Sequence, residues 1–305
     1  MKYYFAPMEG ITGYIYRNTY HKYFGGFDKY FTPFIAPAQK KSLKTREKND
    51  ILPEHNEGMY VVPQILCCKS QDFIRTARDL LAYGYKEINL NLGCPSGTVV
   101  TKGKGAGFLA DTEKLDAFLE DVFSQCDAEI SIKTRLGMEH PEEAFALMDI
   151  YNKYPLKELI IHPRVRKEFY TGEPHRDVYE QISLISKAKV CYNGDLFTAL
   201  DIADFKRKHE KTDCVMLGRG MLRNPGLLLE AKGQTATKSQ VHDFICAICD
   251  AYEKLQFGDT NVLFKMKELW SYLGSYFPDD GKVFKKIKKA KRLVEYRLAV
   301  EEIFR

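Results

Sequence analysis

The residues best suited to chemistry in this chain stand just after short apolar runs. Cys94 lies between Gly93 and Pro95 at the end of the run Glu87–Leu92, whereas most of the other seven cysteines lie inside apolar stretches. A thiol in that position can act as a nucleophile or as a proton donor. An unperturbed thiol has a pKa of about 8.5 and keeps its proton near neutral pH. We therefore favour acid catalysis, although the residue types alone leave covalent catalysis open.

Two other side chains that could take part in catalysis stand at the ends of apolar runs. Lys133 could form a Schiff base, bind a phosphate or stabilise an anion, and a lone histidine such as His162 is more often a structural residue. If both point into one shared mouth, contacts with a cofactor explain them better.

Two glycine-bearing segments also follow apolar runs. The segments are Asn193-Gly194-Asp195 and Gly218-Arg219-Gly220. Backbone N–H groups in such turns bind phosphate, and an arginine adds a charge-assisted contact. Tight turns without a ligand are the alternative, and we favour a phosphate site.

These residues need a scaffold that gathers the ends of several strands. Eight apolar runs alternate with helical patterns over about 230 residues, which is typical of an α/β protein with a (β/α)8 TIM barrel. The GxGxxG turn that an open, doubly wound sheet usually carries is absent. The predicted strands are Tyr3–Ala6, Tyr30–Ile35, Tyr60–Ile65, Glu87–Leu92, Glu129–Thr134, Glu158–His162, Lys189–Tyr192 and Asp213–Leu217. Barrel active sites lie at the carboxyl ends of the strands, where the candidate residues follow.

The pattern changes after Gly233. Residues 233–239 are polar and without apolar period, and helical patterns then cover Val241–Leu255, Val262–Leu273 and Val283–Phe304. We therefore predict a catalytic barrel over residues 1–235 and a small C-terminal all-helical domain over residues 236–305. Residues 98–107, just after Cys94, are expected to form a flexible loop that could close over a substrate.

Composition excludes several classes of protein. The apolar fraction of 45% and charged fraction of 29% are ordinary for a globular chain. The eight cysteines show no disulfide pattern, and Cys246-Ala-Ile-Cys249 is a single CxxC inside a helical pattern, so we expect no metal site. No signal peptide and no apolar run of bilayer length is present, so we expect a cytoplasmic protein without a membrane partner.

Positive charge is concentrated near the C-terminus. The net charge is only +5, but Lys282–Arg292 holds seven cations and no anion. A solvated helix face explains such a run as well as a binding surface does.

Eight segments together resemble the tRNA-dihydrouridine synthase family, over nearly the whole chain. The pair Asn91-Leu-Gly-Cys-Pro95 and Lys133-Thr-Arg-Leu-Gly137 is the most specific part. The matching segments are Ala6–Thr12, Pro63-Gln64, Asn89–Pro95, Gly103–Gly107, Ser131–Gly137, His162-Pro-Arg164 with Tyr170-Thr-Gly172, Asn193-Gly-Asp195 and Gly218–Pro225.

The resemblance implies an FMN-dependent enzyme that reduces the C5=C6 bond of particular uridines in tRNA, with NADPH as the reductant. Cys94 would protonate C5 as hydride from the flavin reaches C6. The residues implied at the flavin are Pro7, Met8, Glu9, Gln64, Asn91, Lys133 and His162, and those implied at its phosphate are Asn193, Gly194, Asp195, Gly218 and Arg219.

A tRNA substrate would also explain the basic residues, because a uridine splayed out of its stack requires wide contacts to the nucleic-acid backbone. The expected tRNA contacts are Lys40, Lys41, Arg135, Arg164, Arg166, Lys285, Lys286 and Lys289. A monomer is expected. The rival hypotheses are a flavin barrel that reduces free pyrimidines and a non-catalytic RNA-binding barrel.

Overall fold

A computed structural model describes residues 1–38, 43–255, 258–277 and 281–305. The predicted tRNA contacts Lys40 and Lys41 lie outside these residues. Nine parallel strands form one sheet in the order β3-β2-β1-β9-β8-β7-β6-β5-β4. The strands are Lys2–Phe5 (β1), Lys29–Phe31 (β2), Val61–Val62 (β3), Gln64–Ile65 (β4), Glu87–Leu92 (β5), Glu129–Gly137 (β6), Glu158–Val165 (β7), Lys189–Tyr192 (β8) and Cys214–Leu217 (β9).

Pro63 joins β3 and β4, the two ends of the nine-stranded sheet, and so closes the sheet into a barrel. It alone separates β3, which pairs with β2 through Tyr30 and Val61, from β4, which pairs with β5. Proline has no N–H to donate to the ladder, so the strand is interrupted there, while the Pro63 carbonyl still accepts from the Asn89 N–H at 2.9 Å. The two short strands are halves of one barrel position, and the predicted eight-position barrel is confirmed.

Ten helices lie between the strands or follow the last one, and four more complete the chain, as far as the structure describes it. The ten are Tyr14–Tyr23 (α1), Thr45–Ile51 (α2), Ser70–Ala82 (α3), Gly97–Val100 (α4), Thr112–Gln125 (α5), Glu143–Tyr151 (α6), Arg176–Ile185 (α7), Ala199–Lys208 (α8), Arg219–Arg223 (α9) and Leu227–Ala231 (α10). The C-terminal four are Lys238–Lys254 (α11), Gly258–Leu273 (α12), Gly281–Lys289 (α13) and Leu293–Phe304 (α14). No described helix is long and apolar enough to span a membrane.

The prediction of a single helix over Val283–Phe304 is wrong, because two helices, α13 and α14, cover this range and residues 290–292 separate them. The Leu293 N–H donates to the Asp259 carboxylate at 3.0 Å, and the Glu295 carboxylate accepts the Lys291 N–H at 2.9 Å. Lys267 Nζ donates to the Ala290 carbonyl at 2.7 Å. These side chains satisfy backbone groups that a continuous helix would pair internally.

The chain divides into two compact units, neither of which is a single stretch of sequence. The barrel unit comprises Met1–Pro7, Asp28–Asp195 and Lys208–Met216, and the helical unit comprises Met8–Phe27, Leu196–Arg207 and Leu217–Arg305. The division into residues 1–235 and 236–305 stays a prediction.

The interior of the barrel changes character along its axis. At the amino ends of the strands, Lys29 Nζ lies 2.6 Å from carboxylate oxygens of both Glu87 and Glu158, and the Tyr4 hydroxyl donates to Glu158 at 2.5 Å. An apolar cluster that includes Ile160 and other buried side chains from several strands fills the centre. Successive strand residues face opposite sides, so His162 shares the inward face of β7 with Ile160 and lies toward the carboxyl end.

Candidate active site

A chain of buried amides leads to Cys94. Gln64 Nε2 donates to Asn89 Oδ1 at 2.8 Å, and Asn91 Nδ2 donates to Gln64 Oε1 at 2.7 Å. Asn91 Oδ1 then accepts the backbone N–H groups of Gly93 and Cys94, both at 3.0 Å. The side chain of Asn91 therefore sets the turn on which the half-buried thiol stands.

The segment after Cys94 differs from the expected loop. Residues 97–100 form α4 and Gly105–Ala110 form a 3-10 helix. The Ala106 N–H donates to the Cys94 carbonyl at 3.0 Å, and a Cβ added to Gly105 would lie 2.8 Å from the same carbonyl oxygen. The backbone passes so close to Cys94 that glycine, with φ of +56°, is required there. Two helical turns therefore occupy much of the segment predicted as a flexible loop, and its closure over a substrate stays a prediction.

Lys133 places a cation next to Cys94 in the barrel interior. It is half-buried and is the register partner of Asn91 on the neighbouring strand. Burial, and after it the nearby Arg135 guanidinium, lower the pKa of its ammonium to about 8, against the opposite effect of the thiols of Cys191 and Cys94. No carboxylate or other side chain in the described part of the chain forms a hydrogen bond or salt bridge with Lys133. A half-buried ammonium in that state favours an anionic ligand.

Arg135 connects the Cys94 turn to the loop after β7. Its guanidinium donates to the carbonyls of Gly93 at 2.9 Å, Val165 at 3.0 Å and Phe169 at 2.6 Å. Only 1% of Arg135 is exposed. This burial favours a positioning role, and the predicted direct contact with tRNA stays untested.

Arg164 organises the carboxyl ends of β7 and β8. It is fully buried, and its guanidinium contacts the Asp195 carboxylate and the carbonyls of Thr171 and Gly172. It also lies 3.0 Å from His162 Nε2. Because guanidinium only donates, His162 Nε2 is the acceptor and the imidazole proton is on Nδ1. The predicted tRNA contact of Arg164 likewise stays untested.

An aromatic pair follows these arginines. Phe169 and Tyr170 are 42% and 47% exposed, and Phe169 is the one non-glycine residue with positive φ among the described residues. The Tyr170 ring lies 6.0 Å from the His162 ring and 5.3 Å from the Arg135 guanidinium carbon. Arg166, a predicted tRNA contact, lies 5.0 Å from the Phe169 ring. Stacked rings with adjacent cations suit a nucleobase.

The predicted phosphate residues of the barrel unit have structural partners. Asn193 Nδ2 donates to the Met216 carbonyl at 2.8 Å, and Asp195 accepts from Arg164. A Cβ on Gly194 would lie 2.6 Å from the Tyr192 hydroxyl oxygen, so only glycine fits. The Asp195 carboxylate and one of the two Asn193 side-chain N–H groups are thus engaged within the protein.

The remaining predicted cofactor residues lie in the helical unit, except Pro7. The guanidinium carbons of Arg219 and Arg223 lie 5.6 and 4.2 Å from the Phe197 ring centre. Gly218 precedes α9, which begins at Arg219. Pro7 is half-buried, Glu9 is exposed, and the Met8 N–H donates to Thr12 Oγ1 at 2.7 Å. Flavin and phosphate contacts by these residues stay predictions.

The predicted tRNA contacts near the C-terminus are all exposed. Lys285 and Lys289 lie on α13 with Lys286, whose ammonium forms a salt bridge of 2.6 Å with Glu302. The buried residues Val283 and Ile287 turn the opposite face of α13 inward. The basic run is thus a solvated helix face, and its contact with tRNA stays a prediction.

Sequence reasoning missed two polar side chains that extend the chain of buried amides. Asn89 and Ser131 are fully buried, and Asn89 Nδ2 donates to Ser131 Oγ at 2.9 Å. The sequence does contain a signal for them. Asn89 stands two positions before Asn91, and Ser131 two positions before Lys133, so each lies on the same face of its strand as a predicted site residue.

Comparison with known proteins gives one family. A family model described as dihydrouridine synthase (Dus) matches residues 4–302. The chain is 29% identical over 241 residues to a tRNA-dihydrouridine(16) synthase of Ralstonia nicotianae, covering 76% of this chain and 72% of that protein. It is 27% identical over 266 residues to a probable tRNA-dihydrouridine synthase of Staphylococcus aureus, covering 82% and 77%.

Two solved structures are similar in fold. A variant of NCR from Zymomonas mobilis has a TM-score of 0.54 at 13% identity, over 78% of this chain and 88% of that one. Morphinone reductase in complex with tetrahydroNAD has a TM-score of 0.54 at 12% identity, over 77% and 88%. At such identities the likeness concerns the fold alone.

Proposed function

The chain belongs to the dihydrouridine synthase family, and we propose that it reduces the C5=C6 bond of specific uridines in tRNA to 5,6-dihydrouridine. The observation that carries this proposal is the pairing of a thiol on an Asn91-held turn with a half-buried Lys133 ammonium that has no anionic partner in the described chain. The printed names of the relatives supply the substrate class.

The site fits FMN as the cofactor. An ammonium without a carboxylate partner is suited to the electron-rich edge of a flavin, which becomes anionic on reduction. Gln64 is held by Asn89 and Asn91, and His162 by Arg164, so both side chains are oriented before a ligand arrives. When bound, FMN would supply the hydride, and NADPH would be the reductant that renews it.

Cys94 is the proposed proton donor. Addition of hydride at C6 of uracil leaves negative charge at C5, and a proton at C5 completes the reduction. A thiol keeps its proton near neutral pH and can deliver it in the transition state. Asn91 accepts the Cys94 backbone N–H, so the position of the thiol is set by the turn that carries it.

The tRNA substrate accounts for the basic face of α13. Binding to phosphates by exposed lysines is independent of base sequence and positions the substrate. A monomer in the cytoplasm, where tRNA is modified, completes the proposal.

The decisive experiment is incubation of the purified protein with tRNA that lacks dihydrouridine, in the presence of NADPH. We expect a yellow protein with the absorbance of FMN, and mass spectrometry of the digested tRNA should show dihydrouridine. Reduction of free uridine or uracil with no product on tRNA would support the free-pyrimidine reductase instead. A colourless protein that binds tRNA without product, even after addition of FMN, would support the non-catalytic barrel.

A further inference from the structure

A cluster of three different metal-ligating groups lies in the helical unit, apart from the residues discussed above. His242 and Cys246 are on α11 and Glu301 is on α14. Their ligand atoms all lie within 4.8 Å of one another, and it is the one such group found in the described ranges of the chain. The residues are half-buried or exposed, so solvent ions have access.

The distances within the cluster approach those of a tetrahedral site. His242 and Cys246 are four residues apart, so both side chains lie on one face of α11. His242 Nε2 lies 3.6 Å from Cys246 Sγ and 2.8 Å from Glu301 Oε1. Two ligand atoms at normal bond lengths from one tetrahedral zinc are roughly 3.3–3.6 Å apart. The histidine–thiol spacing already fits, and the Glu301 side chain, 52% exposed, has room to move outward.

A further contact supports the histidine as a ligand. The other ring nitrogen, Nδ1, lies 3.2 Å from Asp243 Oδ1. A carboxylate on the second nitrogen of a ligating histidine fixes the tautomer and orients the ring, and it is a regular feature of zinc sites. The Phe304 ring packs edge-on against the imidazole at 5.0 Å between centres.

The charges around the cluster favour a cation. The cluster itself contains the Glu301 carboxylate, and the Asp243 carboxylate lies beside His242. The nearby Arg297 is engaged with Asp250 and Glu253, both at 2.7 Å. The carboxylates of Glu301 and Asp243 therefore provide negative charge that a bound metal ion would neutralise.

We propose that His242 Nε2, Cys246 Sγ and a Glu301 carboxylate oxygen form a zinc site that joins α11 to α14, with water as the fourth ligand. Nitrogen, sulfur and carboxylate ligands together suit zinc. On binding, the thiol proton and any proton on His242 Nε2 pass to solvent, and no electron is transferred. Cys249, the second cysteine of the CxxC pair, is not part of the site.

The test is zinc binding by the untagged full-length protein, measured by elemental analysis after dialysis and by calorimetric titration with zinc. We expect one zinc ion per chain and a higher melting temperature with zinc. Cys246→Ala and Glu301→Gln should each weaken binding at least tenfold, and Asp243→Asn should weaken it about tenfold to a hundredfold. Cys249→Ala, on the same helix, is the matched control and should bind zinc like the original protein.

Glu301→Gln changes only an exposed side chain, so it reports on binding even if Cys246→Ala does not fold. Titration in two buffers of different ionisation enthalpy should also show proton release. Zinc bound equally by the original protein and by Glu301→Gln would overturn the proposal, and so would the absence of stoichiometric zinc at micromolar concentrations.

Discussion

Asn91 positions Cys94 through a hydrogen bond to the Cys94 backbone. Its Oδ1 accepts two consecutive N–H groups, and its Nδ2 is held by Gln64. The oxygen and the nitrogen of the Asn91 side-chain amide therefore both have hydrogen-bond partners within the protein, and these partners fix its orientation. Loss of this amide would displace the turn that carries Cys94, the proposed acid, without removing its thiol.

The first prediction concerns the proposed acid. Cys94→Ala should keep the flavin, because the amide chain contacts the backbone of Cys94, which alanine retains. It should lower dihydrouridine formation by about a hundredfold or more, the usual contribution of a positioned acid. Flavin absorbance and product mass spectrometry measure the two effects.

Cys126→Ala is the matched control, since Cys126 is a half-buried thiol at the end of α5. Equal activity of the two variants on tRNA lacking dihydrouridine would remove Cys94 from the mechanism.

The second prediction concerns Lys133, whose folded-state pKa of about 8 lies below the ordinary value of about 10.4. Between these values the unfolded chain binds more protons than the folded one, so stability of the flavin-free protein rises with pH. Lys133→Met has no ammonium at this position and should not gain stability in this way. The melting temperature of the original protein, compared with that of the variant, should therefore rise from about pH 8 to about pH 10.4.

The same variant should bind FMN roughly tenfold to a hundredfold more weakly, the range for a lost hydrogen bond to a charged group. Lys157→Met, which changes an exposed lysine, is the control for both measurements. Parallel pH curves for Lys133→Met and the original protein would contradict a half-buried ammonium of lowered pKa.

At the residue scale, the sequence pattern and the family resemblance together identified Gln64, Asn91 and Cys94 as site residues, and hydrogen bonds do connect these three residues in the structure. They did not reveal that Arg135 and Arg164 are buried, because a cation after a strand looks the same whether its partners are phosphates or backbone carbonyls. All but one of those carbonyls, that of Gly93, belong to residues 165–172, whose path depends on tertiary contacts.

At the element scale, the apolar runs predicted strand positions well and strand ends less well. Strand β6 continues to Gly137 and β7 to Val165, beyond the predicted Thr134 and His162. The extra residues include arginines, so the apolar pattern ends before the strand does. Glu143 accepts the backbone N–H groups of residues 138–140 just beyond β6, a contact that no periodicity shows.

The third prediction belongs to the amino ends of the strands. Lys29→Ala leaves Glu87 and Glu158, 2% and 7% exposed, without their shared cation. Loss of one partner from a buried ion cluster costs about 3 kcal/mol or more of unfolding free energy. Denaturant unfolding measures this, and flavin content of the folded protein should not change.

Lys157→Ala is the control, because the Lys157–Glu129 pair is solvent-exposed and such pairs contribute less than about 1 kcal/mol. If the two variants lost the same stability, the Lys29 cluster would not be the structural element described.

At the scale of the whole molecule, the sequence pattern predicted a domain boundary after Gly233, where the chain becomes all-helical. In the structure, each of the two compact units is built from several separate segments of the chain. Met8–Phe27 and Leu196–Arg207 belong to the same unit as α11–α14. Pattern analysis divides a chain at composition changes along its length, so it cannot show that α1 packs with α11, as the ring contact of Tyr16 with Phe244 at 5.6 Å does.

The fourth prediction concerns the basic face of α13. Reversal of Lys285, Lys286 and Lys289 to Glu should weaken tRNA binding and reduce its dependence on salt by roughly one unit of slope for each lysine that contacts a phosphate. Flavin content should not change. Affinity measured at several salt concentrations, and flavin absorbance, test both statements.

The control reverses three other exposed lysines, Lys86, Lys157 and Lys189, each of which begins or immediately precedes a strand. The total charge change is the same, but these lysines lie at the amino ends of the strands. An equal loss of affinity in both triple variants would show that net charge, and not the α13 face, determines binding.

The proline that divides β3 from β4 also gives the barrel a preferred place to open. Two strands of two residues each hold the ring together there, whereas β6 pairs with both β5 and β7 over six residues. Local opening takes place where few backbone hydrogen bonds have to break together. Amide protons near Pro63 should therefore exchange with heavy water sooner than those at the centre of β6, so a fluctuation of the barrel would begin at this seam, beside Gln64 of the candidate site.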